Sequence, residues 1–264
     1  MKILKQLFVK SEKLDSEEIM YGITDVGRHR RQNEDYFLVN PEKEILIAAD
    51  GMGGHRAGDV ASRMAVEFIN DSLSLPMLKK IRNNQELIKE TLINLMSEVN
   101  QKIRQAAREN PEYQGMGCTI VIGLIAHNTL HVCNVGDARA YVTDEENLYQ
   151  LTTDHSTVMQ LVKAGRMTME EARYSDKRSE LYQAIGAPST ITPDYNQYRL
   201  QDKDKILLCS DGLWDMLSDE EIFDILKQNH LPKALCEELV DRANEAGGAD
   251  NITAVVAIHN SKPQ

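Results

Sequence analysis

No excess of positive charge, no paired cysteines and no long apolar run occur in this chain of 264 residues. Asp and Glu number 41 against 30 Lys and Arg, a formal net charge of −11. Such a chain has no general attraction to nucleic acid or to an anionic membrane. Part of the acid excess solvates the surface, and part is available as a cluster that binds cations. The four cysteines, Cys118, Cys133, Cys209 and Cys236, contain no C-x-x-C pair, which argues against a zinc knuckle or a dithiol redox site. Three of them sit in apolar, strand-like runs, where a thiol acts as a small hydrophobe; this is cytoplasmic usage. The N-terminal MKILKQLFVKSEK is too short and too broken by lysine for a signal peptide or a membrane span. Residues 1–18 are therefore read as a leader. No repeat, low-complexity tract or Pro/Gly-rich linker divides the remainder, so 19–260 is expected to be one domain. The expectation is a cytoplasmic monomer without nucleic-acid partner or stable membrane insertion.

What is present is a set of short β-rich runs, at 35–40, 44–50, 117–126, 129–136, 139–143, 148–152, 205–210 and 252–259. Short turns such as HN and DEEN separate several of them, as in antiparallel hairpins. Helical periodicity covers 57–73 and 84–109. Near the C-terminus, Ser218 with Glu221 forms a capping box. Pro232 fits the first turn of a helix that Gly247-Gly248 closes. Residues 155–190 are polar, with only short helical pieces, and read as a flap or functional insertion. Strands in two groups, with helices between and after them, predict sheets covered by helices.

Four of the β-rich runs meet an aspartate at an end: Asp50, Asp137, Asp211 and Asp250; a fifth begins with Asn33-Glu34-Asp35. Taken singly, each is ordinary turn chemistry. Asp50-Gly51 and Asp211-Gly212, however, are each followed by a stretch that enters a helix rather than a returning strand. If the strands lie side by side, their acids gather at one edge. Clustered carboxylates cannot all stay ionised without counter-charge, and all-oxygen donors select hard cations, Mg²⁺ or Mn²⁺. An aspartate shared by two ions holds them ~3.5–4 Å apart and supplies a hydroxide-like water near neutral pH. Gly51 allows close backbone approach, so that its carbonyl could serve as a ligand. For Arg30 two readings stand: a guanidinium fork for a phosphate monoester, or an ion pair with the neighbouring acids.

The motifs TDVGRHRRQNEDYF (24–37), ADGMGGHRAGDVAS (49–62), GMGCT (115–119), NVGDARAYV (134–142), LTTDHS (151–156), LLCSDGLWDMLSDEEI (207–222) and GGADNITAVV (247–256) follow one another in this order. In this the chain resembles the metal-dependent Ser/Thr protein phosphatases of the 2C type, the PPM family, in their bacterial single-domain form. The resemblance spans roughly 20–258. It implies an α+β fold, a four-layer α-β-β-α sandwich of two antiparallel sheets. It also implies hydrolysis of phosphoserine and phosphothreonine in proteins by a metal-bridging water at a binuclear Mg²⁺ or Mn²⁺ centre, reversing the action of a Ser/Thr kinase that is itself among the phosphoprotein partners. Under it, Asp50 bridges two ions, Glu34 and the Gly51 carbonyl complete one site, and Asp211 and Asp250 the other. Asp35 orients water, Arg30 binds phosphate, and Asp137 with Asp211 holds the third ion often found in bacterial members. Two departures stand out. Met52 replaces the histidine that follows Asp-Gly in eukaryotic members, leaving His55 either to protonate the leaving alkoxide or to hold the turn. The flap reads YSDKRSELYQAIG, with Tyr182-Gln183 in place of a basic pair, which leaves substrate preference open. The alternatives are a metal-dependent hydrolase of other phosphate esters and a non-catalytic phosphoprotein-binding module; degenerate members of the latter kind lose acids that are all present here.

Overall fold

The structure, a computed structural model, describes residues 19–53, 57–187 and 189–260; the leader expected at 1–18 lies outside them. In chain order the strands are β1 Met20–Asp25, β2 Tyr36–Asn40, β3 Ile45–Met52, β4 Gly117–Ala126, β5 Thr129–Val135, β6 Arg139–Thr143, β7 Leu148–Gln150, β8 Asp194–Arg199, β9 Lys205–Cys209 and β10 Ile252–Ile258. The helices are α1 Ala57–Ser72, α2 Leu75–Ile81, α3 Gln85–Glu109, α4 Thr157–Lys163, α5 Met169–Arg173, α6 Asp211–Trp214, α7 Asp219–Leu226 and α8 Pro232–Glu245. One sheet has the order β1-β10-β9-β6-β7 and the other β2-β3-β4-β5-β8. Every pairing is antiparallel.

The residue alternation shows how the layers stack. On β3, Ile45, Ile47 and Ala49 pack with α1 and α3, while Leu46 and Ala48 join the core between the sheets. On β10, Ile252, Ala254 and Val256 pack with α7 and α8, while Val255 and Ala257 turn to the opposite sheet. The expected four-layer α-β-β-α sandwich results. Its central strands are near-continuous apolar runs because both faces of each sheet are covered. The capping box of Ser218 and Glu221 opens α7, and Gly247 and Gly248, both at positive φ, end α8. Among the described residues, no helix is long and apolar enough to cross a membrane.

Three features differ from the sequence expectation. The strands β1 and β8 carry no strong apolar signal. Each is an edge strand with a single neighbour, and β8 (DYNQYR) is largely exposed, so neither needs two greasy faces. The four-residue α6 is shorter than a periodicity window. Asp50-Gly51 is not a strand end: β3 runs on to Met52, and Gly51 pairs with Cys118 and Met52 with Gly117. The departure from the sheet begins two residues later than the Asp-Gly dipeptide suggests.

Candidate metal centre

Antiparallel order brings the start of one strand and the end of the next to one edge. At that edge lie Asp35 before β2, Asp50 in β3, Asp137 after β5, Asp211 after β9 and Asp250 before β10. Asp35 is the most firmly held. Its Oδ2 accepts a hydrogen bond of 2.6 Å from the Ser210 hydroxyl and one of 2.6 Å from the Thr253 hydroxyl. Ser210 Oγ also accepts from the Thr253 amide at 3.0 Å, and Thr24 and Thr253 hydroxyls meet at 2.8 Å. Asp35 Oδ1, buried, has no partner among the described residues. The bonds therefore pin one oxygen and leave the other presented to the site. Ser210, Thr253 and Thr24 were not singled out from sequence. Their signal was there in the form of hydroxyls interrupting otherwise apolar strand ends, as in LLCSDG and DNITAVV.

Glu34 and Gly51 are seated by close backbone packing. The Gly51 amide donates to the Glu34 carbonyl at 3.1 Å, and a Cβ on Gly51 would stand 2.6 Å from that carbonyl oxygen. On α1, a Cβ on Gly58 would overlap the Glu34 carboxylate, so Gly58 makes the hollow that the carboxylate occupies. The Ser62 hydroxyl, one turn further on, donates to the Glu34 carbonyl at 2.6 Å. Asn251 fastens this loop to the other sheet: Oδ1 accepts from the Glu34 amide at 2.8 Å, and Nδ2 donates to the Val26 and Gln32 carbonyls at 3.0 and 2.9 Å. Arg30 donates to Asp250 Oδ2 at 2.6 Å, with the two side chains 56% and 32% exposed. The ion-pair reading of Arg30 is thus present in the structure, at the mouth of the acid cluster. Arg28 and Arg31 are exposed.

The five aspartates share one electrostatic field. Burial lifts the Asp50 carboxyl well above the usual carboxylate range, and the charges of Asp211, Asp35, Asp137 and Asp250 add to it. Asp50 is thus the member that feels all four others. Asp137 is raised well above its ordinary value by burial, then by Asp211 and Asp154, against an opposing pull from Arg139. Burial pushes Asp35 up to about 7, with the Ser210 and Thr253 hydrogen bonds opposing it and the charges of Asp211 and Asp250 adding to it. Asp211 is raised to about 6 by burial and then by Asp250 and Asp215, and it is hydrogen-bonded to Asp50. Asp50 and Asp211 are enclosed by protein atoms yet keep part of their surface open to solvent.

A cluster of this kind is unstable as a set of free anions. Among the described residues, no three His, Cys, Asp or Glu side chains are already closed on a single point as a metal cage. The donor set nonetheless fits hard divalent cations. All its side-chain donors are oxygens, and Asp35 Oδ1 and Asp211 Oδ1 are buried without hydrogen-bond partners among the described residues.

His55 lies outside the described residues. His155 supports the flap: its Nδ1 accepts from the Gly136 amide at 3.1 Å and lies 2.8 Å from Gln183 Nε2. Gln183, part of the atypical Tyr182-Gln183 pair, also bonds the Thr192 backbone through both ends of its amide. The flap carries α4 and α5 and is latched beside the site by Arg178, which pairs with Asp215 at 3.0 Å. Trp214 packs at the rim of the core. It also donates to the Asp137 carbonyl at 3.1 Å and receives the Arg139 guanidinium over its ring at 3.6 Å.

The family model described as Protein phosphatase 2C matches residues 27–254. The serine/threonine phosphatase stp of Listeria welshimeri is 38% identical over 240 residues, 90% of this chain and 94% of that one. The protein phosphatase PhpP of Streptococcus pneumoniae is 37% identical over 243 residues, covering 91% and 97% of the two chains. Among solved structures, the serine/threonine phosphatase Stp1 from Staphylococcus aureus superposes with a TM-score of 0.85 at 33% identity, over 96% of this chain and all (100%) of the other.

Proposed function

The chain belongs to the protein phosphatase 2C family and is a protein-serine/threonine phosphatase, and from that premise we propose how this site performs the reaction. The family is metal-dependent. The finer assignment is two Mg²⁺ or Mn²⁺ ions, with Asp50 between them, Glu34 and the Gly51 carbonyl on one side, and Asp211 and Asp250 on the other. Asp137 and Asp211 form the place for a third. One observation carries this reading: five aspartates from both sheets meet at one edge, and two of them have buried oxygens that no donor among the described residues satisfies. When bound by these residues, divalent ions would supply charge neutralisation for a phosphoryl group and would lower the pKa of water towards neutrality.

The chain's own residues set the geometry. Asp35, pinned through Oδ2, offers Oδ1 as an acceptor that orients the attacking water. Arg30 exchanges the Asp250 carboxylate for the substrate phosphate, a change that its exposure and its fork of donors both favour. Asn251 keeps the β1–β2 loop, and with it Arg30 and Glu34, in register with Asp250. The substrates are phosphoserine and phosphothreonine proteins, including the Ser/Thr kinase whose signal the enzyme reverses.

The test is Mn²⁺-dependent phosphate release from a phosphothreonine peptide. Asp50→Asn and Asp211→Asn are expected to lose activity by about a thousandfold or more, as is the parent chain in EDTA. Full activity in either variant or in EDTA overturns the assignment.

A further inference from the structure

A second site lies away from the acid edge. The turn between β4 and β5 closes the opposite end of the sheet, seven residues along β4 from the Asp50–Thr119 pair, about 23 Å at the usual strand rise. There a cavity of about 380 Å³ is lined by Arg82, Asn83, Gln85, His127, His131 and Arg199, among others, and by no Asp or Glu. In a chain of net charge −11, such a lining needs an explanation. His127 and His131 gave no sign of a partner in the sequence. In the structure His127 Nε2 lies 2.9 Å from Asn83 Oδ1, and the deeply buried His131 lies 2.7 Å from the Tyr195 hydroxyl through Nδ1. Both rings are therefore fixed in place.

The remaining parts are donors. Arg82 is held by Glu44 at 2.9 Å and by the Lys43 carbonyl at 2.7 Å. Arg199, at the end of β8, has no hydrogen bond or ion pair among the described residues. The 25-residue α3 begins at the cavity wall with Gln85. Its cap, Asn84, satisfies the Leu87 amide, which leaves the first amides of the helix outside its ladder, at the positive end of its dipole. Glu86 in that first turn is paired with Lys89 at 3.2 Å. A guanidinium unpaired among the described residues, a second arginine, two fixed imidazoles and a helix N-terminus therefore surround a space that no described Asp or Glu lines.

We propose that this cavity binds a small phosphate-bearing anion at a site separate from the catalytic edge. Guanidinium and helix-terminal donors match the several acceptor oxygens of a phosphate. The volume exceeds that of a bare phosphate ion and falls in the range of small-ligand sites, so a nucleoside attached to the phosphate also fits. Free phosphate is the product of the chain's own reaction, and a nucleoside monophosphate carries the same group.

Amide NMR of the Mg²⁺-loaded full chain, titrated at constant ionic strength with inorganic phosphate and separately with AMP, tests this. Saturable shifts are expected at Asn83, Gln85, Asn128 and Thr129. Equal affinities identify the phosphate group as the whole ligand, and tighter binding of AMP adds the nucleoside; both support the site. Arg199→Gln removes an exposed side chain without partners among the described residues. It is expected to weaken binding about tenfold, the loss of one charge-assisted hydrogen bond, with unchanged melting temperature and phosphopeptide turnover. Arg82→Gln is expected to weaken binding to a similar degree. The proposal is overturned if the shifts are confined to the neighbourhood of Asp50 and Asp211, if sodium chloride reproduces them, or if they persist at the same affinity in Arg199→Gln.

Discussion

The Ser210 hydroxyl donates a 2.6 Å hydrogen bond to Asp35 Oδ2 across 175 residues of chain. Thr253 donates to the same oxygen at 2.6 Å from a third strand. The two sheets are thereby joined at the carboxylate proposed to orient water. Loss of one of these bonds frees Asp35 to rotate. Ser210→Ala and Thr253→Val are each expected to reduce kcat, or raise the metal concentration needed for half activity, by about 10–100-fold. KM for the phosphopeptide stays near the parent value, and Ser210→Thr recovers part of the loss. Parental metal dependence and kcat in both variants would show that the bonds serve packing alone.

Gly58 sits in the first turn of α1, where Ala is ordinarily the better helix former by about 1 kcal/mol. Here its Cβ would overlap the Glu34 carboxylate. That Cβ would also stand 2.9 Å from the Gly51 backbone carbon, so Gly58→Ala is expected to fold with a somewhat lowered melting temperature while needing at least about tenfold more Mn²⁺ for activity. A variant with the parental Mn²⁺ requirement would remove Glu34 from the metal assignment.

Arg30 and Asp250 form a pair with more than half of the arginine side chain exposed. Such pairs contribute at most about 1 kcal/mol to stability, so Arg30→Ala is expected to leave the melting curve nearly unchanged. Its effect falls on substrate: KM for a phosphopeptide rises about tenfold or more, as one charge-assisted contact is lost. Lysine at the same position restores only part, because it lacks the fork. Steady-state kinetics on a single phosphopeptide separate the two effects.

Without metal, the acid cluster opposes folding at neutral pH. Asp35 is raised to about 7 and Asp211 to about 6, with Asp50 and Asp137 shifted in the same direction. Groups raised in the fold favour the native state when protonated, at pH below their ordinary values. That contribution is lost as pH rises through 6 to 7. In EDTA, the part of the melting temperature that depends on these groups is expected to fall as pH rises from about 4, their ordinary range, to about 7. Mg²⁺ restores it by supplying counter-charge and by binding only the native state. In EDTA at the higher pH, Asp50→Asn is expected to melt above the parent despite being inactive. Parallel melting curves for parent and variant across this range would contradict a raised, coupled cluster.

Much of this protein is determined by sequence alone. The central strands are legible because burial on both faces demands unbroken apolar runs, and the capped helices because caps and periodicity are local. The acids could be named because each stands beside such a run. Edge strand β8 escaped because a strand with one neighbour and an open face can be polar, and β1 because Gly22 and Thr24 interrupt its few apolar residues. Tertiary structure alone decided which oxygens face the site: Asp35 and Ser210 meet only because two sheets stack in one register. It alone set the Gly58 hollow under Glu34 and the gathering of Arg82, His127 and Arg199 around an acid-free cavity. Periodicity reports on neighbours within a turn or a pleat; contacts across 175 residues depend on how whole layers pack.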